Sequence, residues 1–444
     1  HANRSRRLNT DAVQPPHHQQ LRSRARGGRP VRHGRLKRQN PRAGIFKLIG
    51  AALAVVLVSG AGVAAYAVVD TVSSIKPGIH LAVAPGQTPP PVGAVDGAVN
   101  LLLAGTDTRT GQGGQFSSAQ ELAGSSGTGS NDVTMVLHIS ADHKHATVIS
   151  IPRDLMTSVP ACPDGKGGTT SAQSDAMFNS TLSTGGLSCV VLTAEKLTGL
   201  SIPYAALISF DGVIGMSNAV GGVPVCLATP LVDPYVGLKL TAGQQTLVGA
   251  DALAFVRSRH GVGDGSDLGR ISNQQLFLSA LLRKVTSAGV LSNPVTLYSL
   301  AHAAVTNMAL SDTLTQPATL VSIALALKNV SLSNIVFLQY PTGTDPSDAN
   351  RVVPDSQGVS VLQSALANDQ PVQLAGKLGA ATETAPGTTP APTSSATAAP
   401  TTGTGTGAAT STPAPTSTST STSVALPPNV TGQTAADQTC TKGN

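Results

Sequence analysis

The sequence predicts an α/β or α+β layered fold, in which a central mixed β-sheet is flanked by helices, preceded by one transmembrane helix. Between about residues 96 and 376, short apolar runs of strand length alternate with longer runs that carry apolar residues at helical spacing. Upstream, residues 48–69 form a 22-residue run without a charge. A helix of that length can cross the roughly 30 Å of bilayer hydrocarbon. The fold class follows from these two patterns.

Three strands and three helices are predicted in chain order. The strands are "NLLLAG", "DVTMVLHIS" and "ATVISIP", and the helices are "CVVLTAEKLTGL", "DGVIGMSNAVGGV" and "NQQLFLSALLRKVTSAG". Glycine closes or follows each helical pattern, as is typical of helix C-termini. The turn "ADHK" joins the second and third strands into a hairpin. If the turn is centred between Asp142 and His143, Asp132 lies opposite Arg153.

Most of the positive charge precedes the apolar run. Of the 29 Lys and Arg residues, 13 lie in residues 1–47, where Asp11 is the only acid, whereas 16 basic and 21 acidic residues follow Asp70. The positive-inside rule then predicts a single-pass protein of the cell membrane with a basic, disordered cytoplasmic tail (1–47) and an extracytoplasmic domain. A cleaved signal peptide is disfavoured by the long basic region. The tail lacks a periodic apolar face, so no specific nucleic-acid partner is expected.

Composition divides the outer part of the chain into three regions. Residues 70–95 are interpreted as an extended Pro-rich linker, 96–376 as the catalytic domain, and 377–444 as a disordered Thr/Ser/Pro/Ala-rich tail with a short Cys-containing segment. All cysteines fall on the outer side, where disulfides persist. Three pairings are open, and Cys162–Cys189 is preferred because both residues lie in or beside Gly/Ser-rich loops of one region. The four cysteines are Cys162, Cys189, Cys226 and Cys440.

Charged residues gather at the ends of the predicted strands. The alternation in "AFVRSR" predicts a strand that places Arg257 and Arg259 on one face, about 7 Å apart, as a clamp for a group with several anionic oxygens. Asp107 follows the first strand, at an edge where open α/β sheets commonly hold ligands. A single Arg–Asp pair would be an ordinary salt bridge, but five of the seven arginines after Asp70 belong to these segments. They are Arg109, Arg153, Arg257, Arg259 and Arg270.

Acidic residues and arginines gathered at the same ends of the predicted strands predict a site for a metal-bridged pyrophosphate. Asp107 and Asp132 would hold Mg²⁺, with Mn²⁺ as an alternative, while arginines neutralise the phosphates. The membrane anchor then favours a lipid-linked pyrophosphate. The loop "GVGDGSD" lacks the Gly-Lys-Ser/Thr of a P-loop and the spacing of an EF-hand, so Asp264 and Asp267 are interpreted as shaping the loop or orienting arginines.

Five segments, in this order, resemble the LytR-CpsA-Psr (LCP) family of cell-wall glycopolymer ligases. They are "NLLLAGTDTR", "NDVTMVLHIS", "VISIPRD", "FDGVIGMSNAVGGVPVCL" and "LAFVRSRHGVGDGSDLGRISNQQ". The resemblance covers about residues 98–290 and is of the actinobacterial type. It implies an LCP-like fold and a membrane-anchored, Mg²⁺-dependent phosphotransferase. This enzyme would move a glycopolymer from a polyprenyl-pyrophosphate carrier to a peptidoglycan hydroxyl during cell-wall assembly, with pyrophosphatase activity as a side reaction.

The resemblance also assigns roles to residues. Ser130 and Asn273 stand where the family often has arginine, so two positive charges are missing. The general base is left open among Asp132, Asp154 and Asp107. The assigned residues are Asp107 and Asp132 for the metal; Arg153, Arg257, Arg259 and Asp132 for catalysis; Arg109, Arg153, Arg257, Arg259, Arg270 and Gln274 for the pyrophosphate; and Asp267 for support of the loop.

Three other functions remain open at this level. The same residues could hydrolyse the lipid pyrophosphate with water as acceptor. The missing arginines would also fit a wall- or lipid-binding protein of this fold that transfers nothing. Transcriptional regulation is disfavoured because the predicted topology puts the folded domain outside the cell. The sequence does not identify the wall polymer.

Overall fold

The computed structural model describes residues 76–82, 97–109, 129–286, 294–386 and 423–444, with a few isolated positions between 66 and 122. All of them belong to one unit, Ala64–Asn444. The predicted cytoplasmic tail (1–47), almost all of the predicted transmembrane run (48–69) and residues 387–422 lie outside the described residues. Within the described part of the chain, no helix is long and apolar enough to cross a bilayer.

A seven-stranded mixed sheet forms the centre of the fold, as predicted. Strands β1, β3, β6 and β12 run in one direction and the other three run in the opposite direction, so the carboxyl ends of four strands share one edge. In spatial order the strands are β11 (Met308–Leu310), β6 (Tyr204–Ile208), β1 (Val99–Thr106), β2 (Asn131–Ile139), β3 (Ala146–Ser150), β12 (Ile335–Gln339) and β18 (Gly432–Thr434).

The register of the β2–β3 hairpin is the predicted one. Met135 pairs with Ser150 and Ile139 with Ala146, so the residue numbers of each pair sum to 285. The turn is fixed by Asp142, whose Oδ1 accepts hydrogen bonds from Ser140 Oγ at 2.7 Å and from the Lys144 amide at 3.0 Å. Continued to the open end of the hairpin, this register places Asp132 opposite Arg153.

Helices cover both faces of the sheet. Helices α1 and α7 pack with Leu102, Val136 and Ile149 on one face. Helices α2, α4, α5 and α6 contribute to the apolar cluster on the other face, with Met135 and Ile139. The described helices are α1 (Thr181–Thr198), α2 (Phe210–Ala219), α3 (Ala250–Arg257), α4 (Asp267–Thr286), α5 (Pro294–Asn307), α6 (Pro317–Lys328) and α7 (Ser356–Ala367).

A second, four-stranded sheet packs against α3 and α4, with Phe255, Leu276 and Phe277 in the shared core. A disulfide joins Cys226 on β7 to Cys440 on β19. The other disulfide, Cys162–Cys189, confirms the preferred pairing. In order, the strands of this sheet are β10 (Gly243–Leu247), β7 (Val223–Leu227), β19 (Thr439–Thr441) and β16 (Thr382–Thr384).

Four smaller pairs of strands complete the fold. Three are antiparallel: β4–β5, β8–β9 and β13–β14; β15 and β17 are parallel. The strands are β4 (Met156–Val159), β5 (Gln173–Met177), β8 (Leu231–Asp233), β9 (Leu238–Leu240), β13 (Thr342–Thr344), β14 (Val352–Pro354), β15 (Val372–Leu374) and β17 (Val424–Leu426).

Residues 423–444, here called the C-terminal segment, differ from the predicted disordered tail. They supply β17, the edge strand β18 of the main sheet and the inner strand β19 of the second sheet. Arg283 Nη1 on α4 donates to the carbonyls of Ala435 at 2.8 Å and Asp437 at 3.0 Å. The prediction placed a Thr/Ser/Pro/Ala-rich disordered tail at 377–444 with a short Cys-containing segment at its end, and it gave that segment no secondary structure. The C-terminal segment carries its own strand-forming and bridging residues.

The predicted linker (70–95) also differs in part. The Ile79 amide donates to the Leu310 carbonyl at 2.8 Å, and the Asp312 amide donates to the Ile79 carbonyl at 3.0 Å. Ile79 therefore forms a single parallel β-bridge with Ser311, directly after β11, the outer strand of the main sheet. Ile79, an apolar residue in a Pro-rich stretch, thus satisfies its backbone hydrogen bonds at the edge of the sheet.

The prediction that "AFVRSR" forms a strand is wrong, because Ala250–Arg257 is helix α3. Three of its eight residues are alanine, the residue with the highest helix propensity, and Asp251 lies in the first turn, where a negative charge is favourable. The alternating pattern covers only six residues, which is too short to distinguish a strand from a helix. Arg257 ends the helix, and Arg259 follows after the extended residue Ser258.

We expect His145 to make the stability of the fold depend on pH. The side chain is buried, its Nε2 has no hydrogen-bond partner among the described residues, and burial lowers its pKa. Its contribution to stability is therefore fully present above the unfolded value of about 6.5 and is lost as the pH falls through the folded-state pKa. His145→Leu should reduce the fall in melting temperature between about pH 8 and pH 5. Leu325→Ala, which truncates an exposed side chain without a titratable group, is the control and should leave the pH profile as in the wild type.

Candidate functional site

The predicted site residues meet at the edge of the main sheet where β1, β3 and β6 end. Asp132 is the second residue of β2, which starts at this edge, and Arg153 follows β3. Asp267 and Arg270 lie in the first turns of α4, and Arg257 is the last residue of α3. Ligands of α/β sheets commonly lie at such an edge.

Asp132 contacts two arginines. Arg153 Nη1 donates to Asp132 Oδ1 at 2.8 Å, the pair that the hairpin register predicts. Arg270 Nη1 lies 3.7 Å from Asp132 Oδ2, and Arg270 Nη2 donates to the Asp132 carbonyl at 2.8 Å. One carboxylate thus joins β2, the loop after β3 and the start of α4.

Asp267 is the buried acid of the cluster. Its Oδ1 lies 2.6 Å from Arg270 Nη2 and 3.6 Å from Arg153 Nε, although neither carboxylate oxygen forms a well-directed hydrogen bond within the described structure. Burial raises the pKa of Asp267 and outweighs the opposing charges of Arg270, Arg153 and Arg259. Burial acts to lower the pKa of Arg153, but the charges of Asp132, Asp267 and Asp154 raise it. Charges of both signs are therefore packed together, with Asp267 and Arg270 buried and Asp132 and Arg153 partly exposed.

An apolar cavity of about 230 Å³ opens beside this cluster, between the main sheet and helices α2, α3 and α4. Its polar lining includes Asp132, Arg257, Arg270 and Gln274. The Arg257 guanidinium lies 4.2 Å above the ring of Phe210, which also lines the cavity. The apolar lining includes Leu103, Met135, Ile208, Val213, Met216, Leu253, Phe277, Leu278, Leu281 and Met308.

Two amides of α4 hold the end of α3. Gln274 Nε2 donates to the Val256 carbonyl at 2.9 Å, and Asn273 Nδ2 donates to the Phe255 carbonyl at 2.7 Å. Asn273 is fully buried, and its Oδ1 accepts a hydrogen bond from Thr441 Oγ1 at 2.7 Å. Position 273, where an arginine is missing relative to the family pattern, therefore joins the C-terminal segment to the helix that ends at Arg257.

Asp233 is a buried residue that the sequence did not single out. Only 1% of it is exposed, and its Oδ2 accepts from Ser258 Oγ at 2.8 Å and from the amides of Arg259 and Gly261 at 3.1 Å each. Burial acts to raise its pKa, but these bonds and that from the Tyr235 amide lower it. Asp233 therefore fixes the backbone around Arg259. The one available signal was a lone acid before a proline at a strand end.

Asp264, Asp267 and Arg259 lie in or beside the glycine-rich loop. Asp264 Oδ1 accepts from the Ser266 amide at 3.0 Å and shapes the loop, whereas Asp267 contacts arginines. The charge of Arg259 acts on Asp267, but Arg259 does not line the cavity.

Asp107 and Arg109 lie on the loop after β1. The Ser130 amide donates to Asp107 Oδ1 at 2.6 Å, which places this acid beside the start of β2. Arg109 lies three residues beyond β1, and neither residue lines the cavity. Over the described ranges, no three His, Cys, Asp or Glu side chains are grouped to hold a metal ion. Two carboxylates still suit Mg²⁺, which commonly takes one or two of them and completes its shell with water and substrate phosphate oxygens.

The LytR_cpsA_psr family model matches residues 70–368. The chain belongs to the LytR-CpsA-Psr family. It is similar to the "Cell wall biosynthesis protein LcpA" of Corynebacterium glutamicum, with 31% identity over 356 residues, 75% of this chain and 67% of that protein. It is also 29% identical over 235 residues, 52% of this chain and 68% of that protein, to the Bacillus cereus "Polyisoprenyl-teichoic acid--peptidoglycan teichoic acid transferase TagU".

Among solved structures, the fold is similar to that of protein gbs0355 from Streptococcus agalactiae. The TM-score is 0.50 at 22% identity, over 62% of this chain and 88% of that chain. This likeness concerns the fold alone, a central mixed sheet with helices on both faces. The LytR-CpsA-Psr assignment made from the sequence motifs is therefore confirmed by the family model.

Proposed function

We propose that this protein transfers a glycopolymer, with its linking phosphate, from a polyprenyl-pyrophosphate carrier to a peptidoglycan hydroxyl. The observation that carries the proposal is the apolar cavity lined near one end of the sheet by Arg257, Arg270 and Asp132. An isoprenoid chain is apolar and its pyrophosphate is anionic, so one carrier matches both parts of the cavity. The family relatives, whose names refer to cell-wall biosynthesis and teichoic acid transfer, support the same class of reaction.

The arginines have two roles in this proposal. Arg153 and Arg270 contact Asp132 and Asp267, so they act mainly as fixed charges that hold the cluster together. Arg257 and Arg259 bind the phosphate oxygens and stabilise the negative charge that develops on the leaving polyprenyl phosphate. Gln274 closes the site beside Arg257. The acceptor hydroxyl attacks the phosphorus linked to the sugar, and its proton leaves to a carboxylate of the site.

Mg²⁺, or Mn²⁺ in its place, belongs to the proposal through Asp107 and Asp132. These two carboxylates would hold the ion, which supplies positive charge to the pyrophosphate when bound. The hydrogen bond from the Ser130 amide fixes Asp107, and the contact with Arg153 fixes Asp132, so both acids have defined positions.

The site would lie outside the cell. Residues 48–69 are long and apolar enough to anchor the chain, and the basic residues 1–47 favour a cytoplasmic N-terminus. Two disulfides in the folded unit support an oxidising compartment. Such a single-pass arrangement would put the cavity near the lipid carrier and the wall acceptor.

The test is transfer with a synthetic polyprenyl-pyrophosphate glycan as donor and peptidoglycan as acceptor, with Mg²⁺ and with EDTA. We expect metal-dependent attachment of the glycan to peptidoglycan, detected by mass spectrometry of the digested wall. Release of free glycan phosphate without attachment would instead establish a lipid pyrophosphatase. Neither product, with the donor shown to bind, would establish a lipid-binding protein without transfer activity.

A further inference from the structure

Two exposed rings, those of Tyr235 and His260, lie beside Arg259 at the start of the glycine-rich loop. Tyr235, in the turn between β8 and β9, is 80% exposed, and its ring centroid lies 4.4 Å from that of His260, with the planes inclined by 41°. His260 is exposed as well. The chain is only 3% aromatic and has no Trp, and phenylalanines such as Phe178 and Phe255 are fully buried. This pair therefore needs an explanation other than packing in a core.

The pair is fixed on both sides. Asp233 Oδ1 accepts a hydrogen bond from the Tyr235 amide at 3.1 Å, while its Oδ2 holds the amide of Arg259. On the other side, Asn444 Nδ2 donates to the His260 carbonyl at 3.2 Å. A surface whose backbone is already fixed loses little conformational entropy when a ligand binds.

The pair lies at the rim of the site. Arg259 and His260 are neighbours, so their Cα atoms are about 3.8 Å apart. The charge of Arg259 acts inward on the buried Asp267, whereas the ring of His260 is exposed beside Tyr235. A ligand on the rings would therefore lie in solvent beside Arg259, whose charge acts on the cluster.

We propose that Tyr235 and His260 form a binding subsite for a hexopyranose ring of the acceptor glycan. This rests on the proposed function, and it adds where the acceptor lies. A pyranose has a face of C–H groups, which suits the electron-rich face of an aromatic ring, and hydroxyl edges, which suit the phenol and imidazole polar atoms. The donor lipid is matched by the apolar cavity between the sheet and the helices, whereas the rings face solvent, from which a wall polymer would approach.

The test is binding of a β-1,4-linked N-acetylglucosamine tetrasaccharide to the full chain, measured by ligand-observed NMR titration without donor. We expect Tyr235→Ala to weaken binding about tenfold, because the stacking face is removed, while Tyr235→Phe keeps the face and binds within about twofold of the wild type. Leu325→Ala on α6 truncates another exposed apolar side chain and serves as the control. Melting temperatures establish that the variants fold.

Two outcomes would overturn the subsite: a wild-type protein that does not bind the tetrasaccharide, or equal affinity in Tyr235→Ala and the wild type. Because this titration needs no donor, it is independent of the transfer assay. If the wild type binds the sugar through Tyr235 but never transfers glycan, the proposed function fails and the subsite stands. If transfer occurs with an unchanged KM for the acceptor in Tyr235→Ala, the subsite fails and the function stands.

Discussion

Arg257→Ala is expected to reduce glycan transfer at least about 100-fold and to leave the fold intact. Loss of one donor aimed at charge that develops in a transition state typically costs about 10²–10³ in rate. Arg257 ends α3 at the cavity, over the ring of Phe210. The measurement is single-turnover transfer from the lipid-pyrophosphate donor, beside the melting temperature. Loss of the cation–π contact should cost only about 0.5–2 kcal/mol of stability.

Two further variants sharpen this prediction. Arg257→Lys keeps the charge but not the planar fork, so we expect an intermediate rate. Arg351→Ala is the matched control, because Arg351 forms its ion pair with Asp348 on the loop between β13 and β14. Near-normal turnover in Arg257→Ala would contradict the assignment of phosphate binding to this residue. Arg153→Ala is a poorer test, since it would remove a partner shared by Asp132, Asp154 and Asp267 and leave Arg270 alone to balance the charges of Asp132 and Asp267.

Asp233→Asn is expected to lower the free energy of unfolding by about 2–4 kcal/mol. In the wild type, the Ser258 hydroxyl and two backbone amides donate to a carboxylate oxygen of Asp233. In the variant, the buried side-chain amide would replace that carboxylate and bring its own donor toward these groups. For a domain of this size the melting temperature should fall by about 5–10 °C. Because hydrogen bonds lower the pKa of Asp233, its contribution is fully present above about pH 4 and is lost on further acidification. The variant should lack that acid-dependent part of the stability profile.

Transfer should fall as well in Asp233→Asn, because the backbone of Arg259 loses its anchor. Asp348→Asn provides the control, since Asp348 also accepts from a backbone amide, that of Asn350 at 2.9 Å, but is exposed and far from these donors in sequence. A melting temperature equal to that of the wild type would show that Asp233 is not the anchor described here. Full activity despite lowered stability would show that the position of Arg259 tolerates movement.

The contact between Asp132 and Arg153 could be predicted because the position of the turn fixes which residues of a hairpin lie opposite each other. Once the turn at Asp142 and His143 is located, every opposite pair follows from the sum of residue numbers. The Cys162–Cys189 pairing likewise followed from a local pattern, since both residues lie in one region of the chain. Local rules were sufficient wherever the partners lie close in the chain.

The rest of the site depends on contacts between distant segments. Asp233 reaches Arg259 across 26 residues, and Thr441 reaches Asn273 across 168. Neither contact leaves a periodic or compositional signal, because one buried carboxylate or one hydroxyl is enough to make it. The helix that ends at Arg257 was missed for a related reason: packing of Phe255 against the second sheet decides the structure of a segment too short to decide it alone.

The position of β19 affects the order in which this protein can mature. The strand lies between β7 and β16, and the bond Cys226–Cys440 spans 214 residues of sequence. The amide of Gly263, in the glycine-rich loop that follows Arg259, donates to the Lys442 carbonyl at 2.9 Å. The ribosome makes residues 439–442 long after the arginines, so the nascent chain holds the loop without its partner strand. The loop after Arg259 can therefore reach the geometry described here only once residues 439–442 are in place.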